Sequence, residues 1–118
     1  MSGLLVTNDF PPKIGGIQSY LHELWRRLPV DDATVLTTPY DGDAAFDARQ
    51  DFRVVRASER VLLPTRSLAT RIDDLAREVG AAVILLDPWL PLGHLGPRLA
   101  AAPYVVVVHG AEVTVPGR

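Results

Sequence analysis

The chain has 118 residues, 47% of them hydrophobic and 22% charged, with a formal net charge of -2. That suits one folded domain with a modest core, and it excludes a disordered or polybasic chain. With no cysteine there are no disulfides or thiolate metal sites, and the charge balance, without an RNA-binding or helix-turn-helix signature, predicts no nucleic-acid partner.

Met1-Ser2-Gly3 runs directly into Leu4-Leu5-Val6 and then polar Thr7-Asn8-Asp9. It lacks the positive end and the apolar length of a secretory signal, and no run is long enough to span a bilayer, so the expected location is cytoplasmic. Leu4 to Thr7 reads as a buried strand. Ile17, Tyr20, Leu21, Leu24, Trp25 and Leu28 recur at helical spacing, and Pro29 stops that helix. Ala33 to Thr38 is a second strand ended by Pro39, and Tyr40 to Asp51 is an acidic, small-residue loop. Phe52 to Arg56 is a short strand. Thr65 is placed to cap a helix marked by Leu68, Ile72, Leu75, Ala76 and Val79, which Gly80 closes. Ala82 to Leu86 is a very apolar strand ending at Asp87-Pro88. Leu92 to Ala101 reads as a third helix or helical turn weakened by two glycines, and Tyr104 to Val108 as a final strand that stops at His109-Gly110.

Continuous apolar strands alternating with helices predict a parallel sheet covered on both faces, a Rossmann-like doubly wound α/β domain. Right-handed crossovers then favour the strand order 3-2-1-4-5. Ligands of such sheets bind beyond the carboxyl ends of the strands, where Asn8 to Gly16, Asp87 to Leu90 and His109 to Glu112 fall. Gly15-Gly16, just before a helix, can bring backbone N–H groups close to a phosphate, although a tight strand-to-helix turn explains the pair equally well. The loop lacks G-x-G-x-x-G and has no Gly-Lys-Ser/Thr, which disfavours a dinucleotide fold and a Walker loop. His109 can donate to a sugar hydroxyl or phosphate, or move a proton; local backbone satisfaction is the bland alternative. Asp87 is read as the start of a turn rather than a base. His22 and His94 read as solvent or loop residues, and no histidine spacing suggests a metal.

The string VTNDFPPKIGGIQSYL (Val6 to Leu21) resembles the amino-terminal signature of GT-B glycosyltransferases of family GT4, and among them the actinobacterial phosphatidylinositol mannosyltransferases. The match continues through LLPT (Leu62 to Thr65), weakly through PLGHLGPRLAA (Pro91 to Ala101), and ends in HGAEV (His109 to Val113). The resemblance implies retaining transfer of a sugar, mannose from GDP-mannose, to a phosphatidylinositol mannoside-type lipid, with no cofactor and no metal. It implies that residues 1–118 form the acceptor-side domain, an incomplete amino-terminal half of a GT-B fold inactive without a donor-binding domain. It also assigns Gly15 and Gly16 to the donor phosphates, His109 to the transferred sugar, and Asn8, Asp9 and Gln18 to the acceptor side.

Two departures leave the acceptor open to another lipid or small molecule. Ala111 stands where the family commonly has a second histidine, and Asp87-Pro88-Trp89 replaces a small-residue segment. A lipid acceptor implies peripheral contact with the membrane, for which Trp25-Arg26-Arg27 and the Arg60 to Arg66 stretch pair apolar with cationic groups, core packing being the stronger reading for Trp25. The rival readings are a non-catalytic ligand-binding module of the same descent and a response-regulator-like domain. The latter is disfavoured because Asp9 lacks an acidic neighbour and His109 stands in place of a lysine.

Overall fold

A computed structural model describes residues 2–12, 32–87 and 92–106. Its elements are β1 (Ser2–Thr7), β2 (Asp32–Thr37), α1 (Asp43–Asp47), β3 (Arg53–Arg56), α2 (Arg66–Val79), β4 (Val83–Asp87), a 3₁₀ helix (Gly93–Arg98) and β5 (Tyr104–Val106). The five strands form one sheet in the order β3-β2-β1-β4-β5, and every pairing is parallel. This is the Rossmann-like α/β arrangement, in the expected order. The helix expected between Ile17 and Leu28 lies outside the described residues.

β1 is the centre of the sheet, and Leu4, Leu5 and Val6 are at most 1% exposed. Successive side chains point to opposite faces, so burial of all three requires cover on both sides, which is why the strand reads as an unbroken apolar run. Leu4 and Val6 join Leu36, Ile84 and Leu86 beneath α2 and the 3₁₀ helix, packing on Leu68, Ile72, Ala76, Leu92 and Leu95. Leu5, Val35 and Leu85 face the other way with Phe10. The Phe10 ring is fully buried and meets Phe46 and Phe52 edge to face, each at a centroid distance of 6.0 Å. Each large apolar side chain so buried contributes about 1.5–3 kcal/mol.

α2 follows from local chemistry. The Thr65 side chain accepts from the Leu68 N–H, and Gly80 ends the helix at φ 67°. The Ala81 N–H then reaches the Ala76 carbonyl at 2.8 Å and the Gly80 N–H the Arg77 carbonyl at 3.3 Å, the paired closure that a left-handed terminal glycine permits. Asp73, buried on this helix, accepts from the N–H groups of Ala100 and Ala101 at 3.0–3.1 Å and so fixes the turn into β5.

One expectation needs correction. The stretch from Tyr40 to Asp51 is not all loop, because α1 occupies Asp43–Asp47. The third helix or helical turn expected over Leu92 to Ala101 is a 3₁₀ helix, since Pro97 lacks the N–H a longer α-helix needs. Asp87 is the last residue of β4, and the turn expected to start at Asp87-Pro88 falls on residues outside those described. Of the run Tyr104 to Val108, the described strand covers Tyr104–Val106, and Tyr104 and Val105 are 42% and 52% exposed.

Candidate functional site

The carboxyl edge of the sheet is built around the exits of β1 and β4, which lie side by side with Thr7 opposite Asp87. The chain departs to β2 on one side of this point and to β5 on the other, which makes it the switch point where doubly wound sheets place ligands. Both side chains are fully buried, and the Thr7 hydroxyl donates to Asp87 Oδ2 at 2.7 Å. The same hydroxyl oxygen accepts the Asp9 N–H at 2.9 Å. A carboxylate, a hydroxyl and an amide thus lock the first turn of the loop to β4.

Asn8 anchors a second segment. Its side-chain nitrogen donates to the Leu62 carbonyl at 3.0 Å, and its oxygen accepts the Leu62 N–H at 2.6 Å. Asn8 therefore pairs with the backbone of the loop between β3 and α2 as a strand neighbour would. Leu62 is held in the core at 1% exposure while Val61 and Leu63 stand 55% and 57% exposed.

Arg56, at the end of β3, holds the loop at a third point. Its guanidinium donates to both oxygens of Asp47, at 3.1 and 2.8 Å, to the Thr38 carbonyl at 2.9 Å and to the Pro11 carbonyl at 2.7 Å. With only 11% of this side chain exposed, four charge-assisted bonds tie together the exits of β1 and β2 and helix α1. Nearby, the Glu59 carboxyl is held below its ordinary pKa, chiefly by its own backbone N–H, then by the Ser58 hydroxyl, with Arg71 adding to both.

Of the residues singled out from the sequence, Asn8 and Asp9 stand together at this edge, and their described bonds serve to shape the loop. Gly15, Gly16, Gln18 and His109 lie outside the described residues. His94 is exposed on the 3₁₀ helix. Among the described residues no group of His, Asp or Glu is placed to hold a metal ion, and no helix is long and apolar enough to cross a membrane. Sequence reasoning missed Arg56 altogether, and it did not foresee the bond between Thr7 and Asp87. The signal for Asp87 was present, as a lone acid ending an otherwise apolar strand at the ligand-bearing edge.

No family model matches the chain. It is 38% identical over 117 residues to a GDP-mannose-dependent alpha-(1-6)-phosphatidylinositol monomannoside mannosyltransferase of Mycolicibacterium smegmatis. It is 43% identical over 119 residues to the Mycobacterium tuberculosis protein of the same name. The GDP-mannose-dependent monoacylated alpha-(1-6)-phosphatidylinositol monomannoside mannosyltransferase of Corynebacterium glutamicum is 31% identical over 115 residues. Each match takes in 93% of this chain but only 30–31% of the relative. The resemblance to the phosphatidylinositol mannosyltransferases therefore holds across nearly the whole chain, which spans about a third of the length of the mannosyltransferases it matches.

Proposed function

We propose that this chain is the acceptor-side, amino-terminal Rossmann-like domain of a retaining mannosyltransferase that takes mannose from GDP-mannose to a phosphatidylinositol mannoside-type lipid. The observation that carries the reading is 38–43% identity to two such enzymes across 93% of the chain. The anchored β1 exit supports it, because a loop braced at Thr7, Asn8 and Pro11 presents whatever follows it from a fixed base. In this reading Gly15 and Gly16 meet the donor phosphates, where N–H groups stabilise the charge gathering on the leaving group. His109 serves the transferred sugar, and Asn8, Asp9 and Gln18 shape the acceptor side. GDP-mannose is a substrate, and the reaction asks for no cofactor.

Membrane contact belongs to the same proposal. Val61 and Leu63 are exposed apolar side chains between the exposed cations Arg60 and Arg66, and no described carboxylate pairs with either arginine. This combination suits an anionic lipid surface at the cytoplasmic face.

The test is a chimera in which this chain replaces the matching 31% of the M. smegmatis relative. The chimera is expected to transfer radiolabelled mannose from GDP-mannose to phosphatidylinositol monomannoside in vesicles, and the 118-residue chain alone is expected to transfer none. A folded chimera that binds GDP-mannose and leaves the lipid unlabelled overturns the proposal.

A further inference from the structure

Arg56 is the last residue of β3, and its guanidinium reaches three other segments. Nε and Nη2 take the two Asp47 oxygens at 3.1 and 2.8 Å, Nη1 reaches the Thr38 carbonyl at 2.9 Å, and Nη2 also reaches the Pro11 carbonyl at 2.7 Å.

The contact with Pro11 is the one that bears on function. Proline has no N–H, so its carbonyl is the only polar backbone group by which a neighbour can orient it. A carbonyl held in one direction fixes the plane of the peptide bond that follows. Arg56 therefore sets the direction in which the chain leaves Pro11, four residues before Gly15. Phe10, fully buried against Phe46 and Phe52, already ties the loop to the sheet. What Arg56 adds to that anchorage is orientation.

Asp47 is placed to serve Arg56. It is the last residue of α1, the helix end at which a negative charge is unfavourable. Its two oxygens instead hold the plane of the guanidinium, and that plane aims Nη2 at Pro11. Arg53, at the start of the same strand, offers a contrast. It pairs with Glu78 on α2, and each of those side chains is more than half exposed.

We infer that Arg56 is a positioning residue for the transfer reaction: held by Asp47, it aims the loop that leads to Gly15 and Gly16. This rests on the proposed function in that those glycines meet the donor phosphates. N–H groups serve a leaving group best when they are already set where its charge develops. A loosened loop therefore weakens binding of the transition state more than binding of the donor. Lysine in place of Arg56 keeps the charge but has no planar fork, so it cannot hold Asp47 and both carbonyls together.

The experiment places Arg56→Lys, Asp47→Asn and, as a control, Arg53→Gln in both the M. smegmatis chimera and the 118-residue chain. In the chimera, Arg56→Lys is expected to lower kcat at least about tenfold while KM for GDP-mannose stays within about twofold. Asp47→Asn should act in the same direction. The double variant should be no slower than Arg56→Lys alone, because both changes act through one bracket. Arg53→Gln should leave both constants unchanged. In the chain alone, Arg56→Lys should shift the amide resonances of Gly15 and Gly16 and leave those of β4 in place. If Arg56→Lys does not fold, Asp47→Asn carries the same comparison. A kcat per folded molecule that stays at the parent value, the rate loss merely following a lowered unfolding midpoint, would reduce the bracket to a stabilising one and overturn the inference. Gly15 and Gly16 amides that ignore the substitution would overturn it as well. An inactive parent chimera removes the proposed function instead, and the response of the two glycine amides still decides the link to Arg56.

Discussion

Asn8 and Leu62, 54 positions apart in sequence, exchange two hydrogen bonds through one side-chain amide. The Asn8 side chain thereby substitutes for a strand backbone, turning the loop after β3 so that Leu62 enters the core and its neighbours Val61 and Leu63 face solvent. Replacing Asn8 with alanine removes both partners of Leu62 at once and should cost about 1–3 kcal/mol. Urea denaturation measures the loss. If Asn8→Ala unfolds at the same denaturant concentration as the parent, this bracket does not hold the loop.

Thr7 and Asp87 make the corresponding link at the switch point. Thr7→Val keeps the shape of the side chain but deletes the donor to a buried carboxylate, and with it the acceptor for the Asp9 N–H. A loss of about 1.5–3 kcal/mol is expected, the range for hydrogen bonds to charged groups. Asp87→Asn lets the Thr7 hydroxyl keep an oxygen acceptor while removing the charge, so it should destabilise less than Asp87→Ala. The reverse order in thermal unfolding would show that an oxygen acceptor for the Thr7 hydroxyl is not what holds this link.

Glu59 gives the pH dependence a sign. Its pKa is lowered by its own backbone N–H first, then by Ser58, and further by Arg71, whose guanidinium lies 2.6 Å from Oε2. A carboxyl depressed in the folded state contributes stability that is present above its unfolded value and lost as pH falls through the folded one. The window therefore lies in the acid range below the ordinary glutamate value. Since the group is exposed, Ser58→Ala and Arg71→Ala should each raise the Glu59 titration midpoint, followed by carbon NMR, with little change in stability at neutral pH. A midpoint that falls in Arg71→Ala would contradict the ion pair.

The parts of the fold that were legible in sequence are those with local causes. Leu4 to Val6 and Ile84 to Leu86 are continuous apolar runs because each strand is covered on both faces, and Thr65 and Gly80 bound α2 through contacts within one turn. α1 escaped notice because five residues with Phe46 as their one large apolar side chain carry no helical stripe. The bond between Asp87 and Thr7 left no signal either, because Asp-Pro has turn chemistry of its own and Thr7 is 80 residues away. Asn8 and Arg56 belong to the same class: a side chain that binds distant backbone leaves no periodicity. The division between buried Leu62 and exposed Leu63 was likewise hidden, since Asn8 decides it.

Gly96 and Tyr104 show how a sheet edge can depend on a missing side chain. Gly96 is buried within the 3₁₀ helix, and a Cβ built on it would lie 2.2 Å from Tyr104 Cε2 and 2.3 Å from Cζ. The ring of Tyr104, the first residue of β5, therefore lies directly over the Gly96 backbone and ties that strand to the segment following β4. Gly96→Ala must push the ring aside. Because 42% of Tyr104 is exposed, the ring has somewhere to go, so the expected loss is near the lower end of the ~1–3 kcal/mol range for overpacking. Tyr104→Ala removes the obstacle, and in that background Gly96→Ala should cost clearly less. A double-mutant cycle by chemical denaturation isolates the contact, with a coupling of about 0.5 kcal/mol or more expected. Strict additivity of the two changes would mean that the helix glycine serves the backbone of its own turn and that the ring is incidental to it.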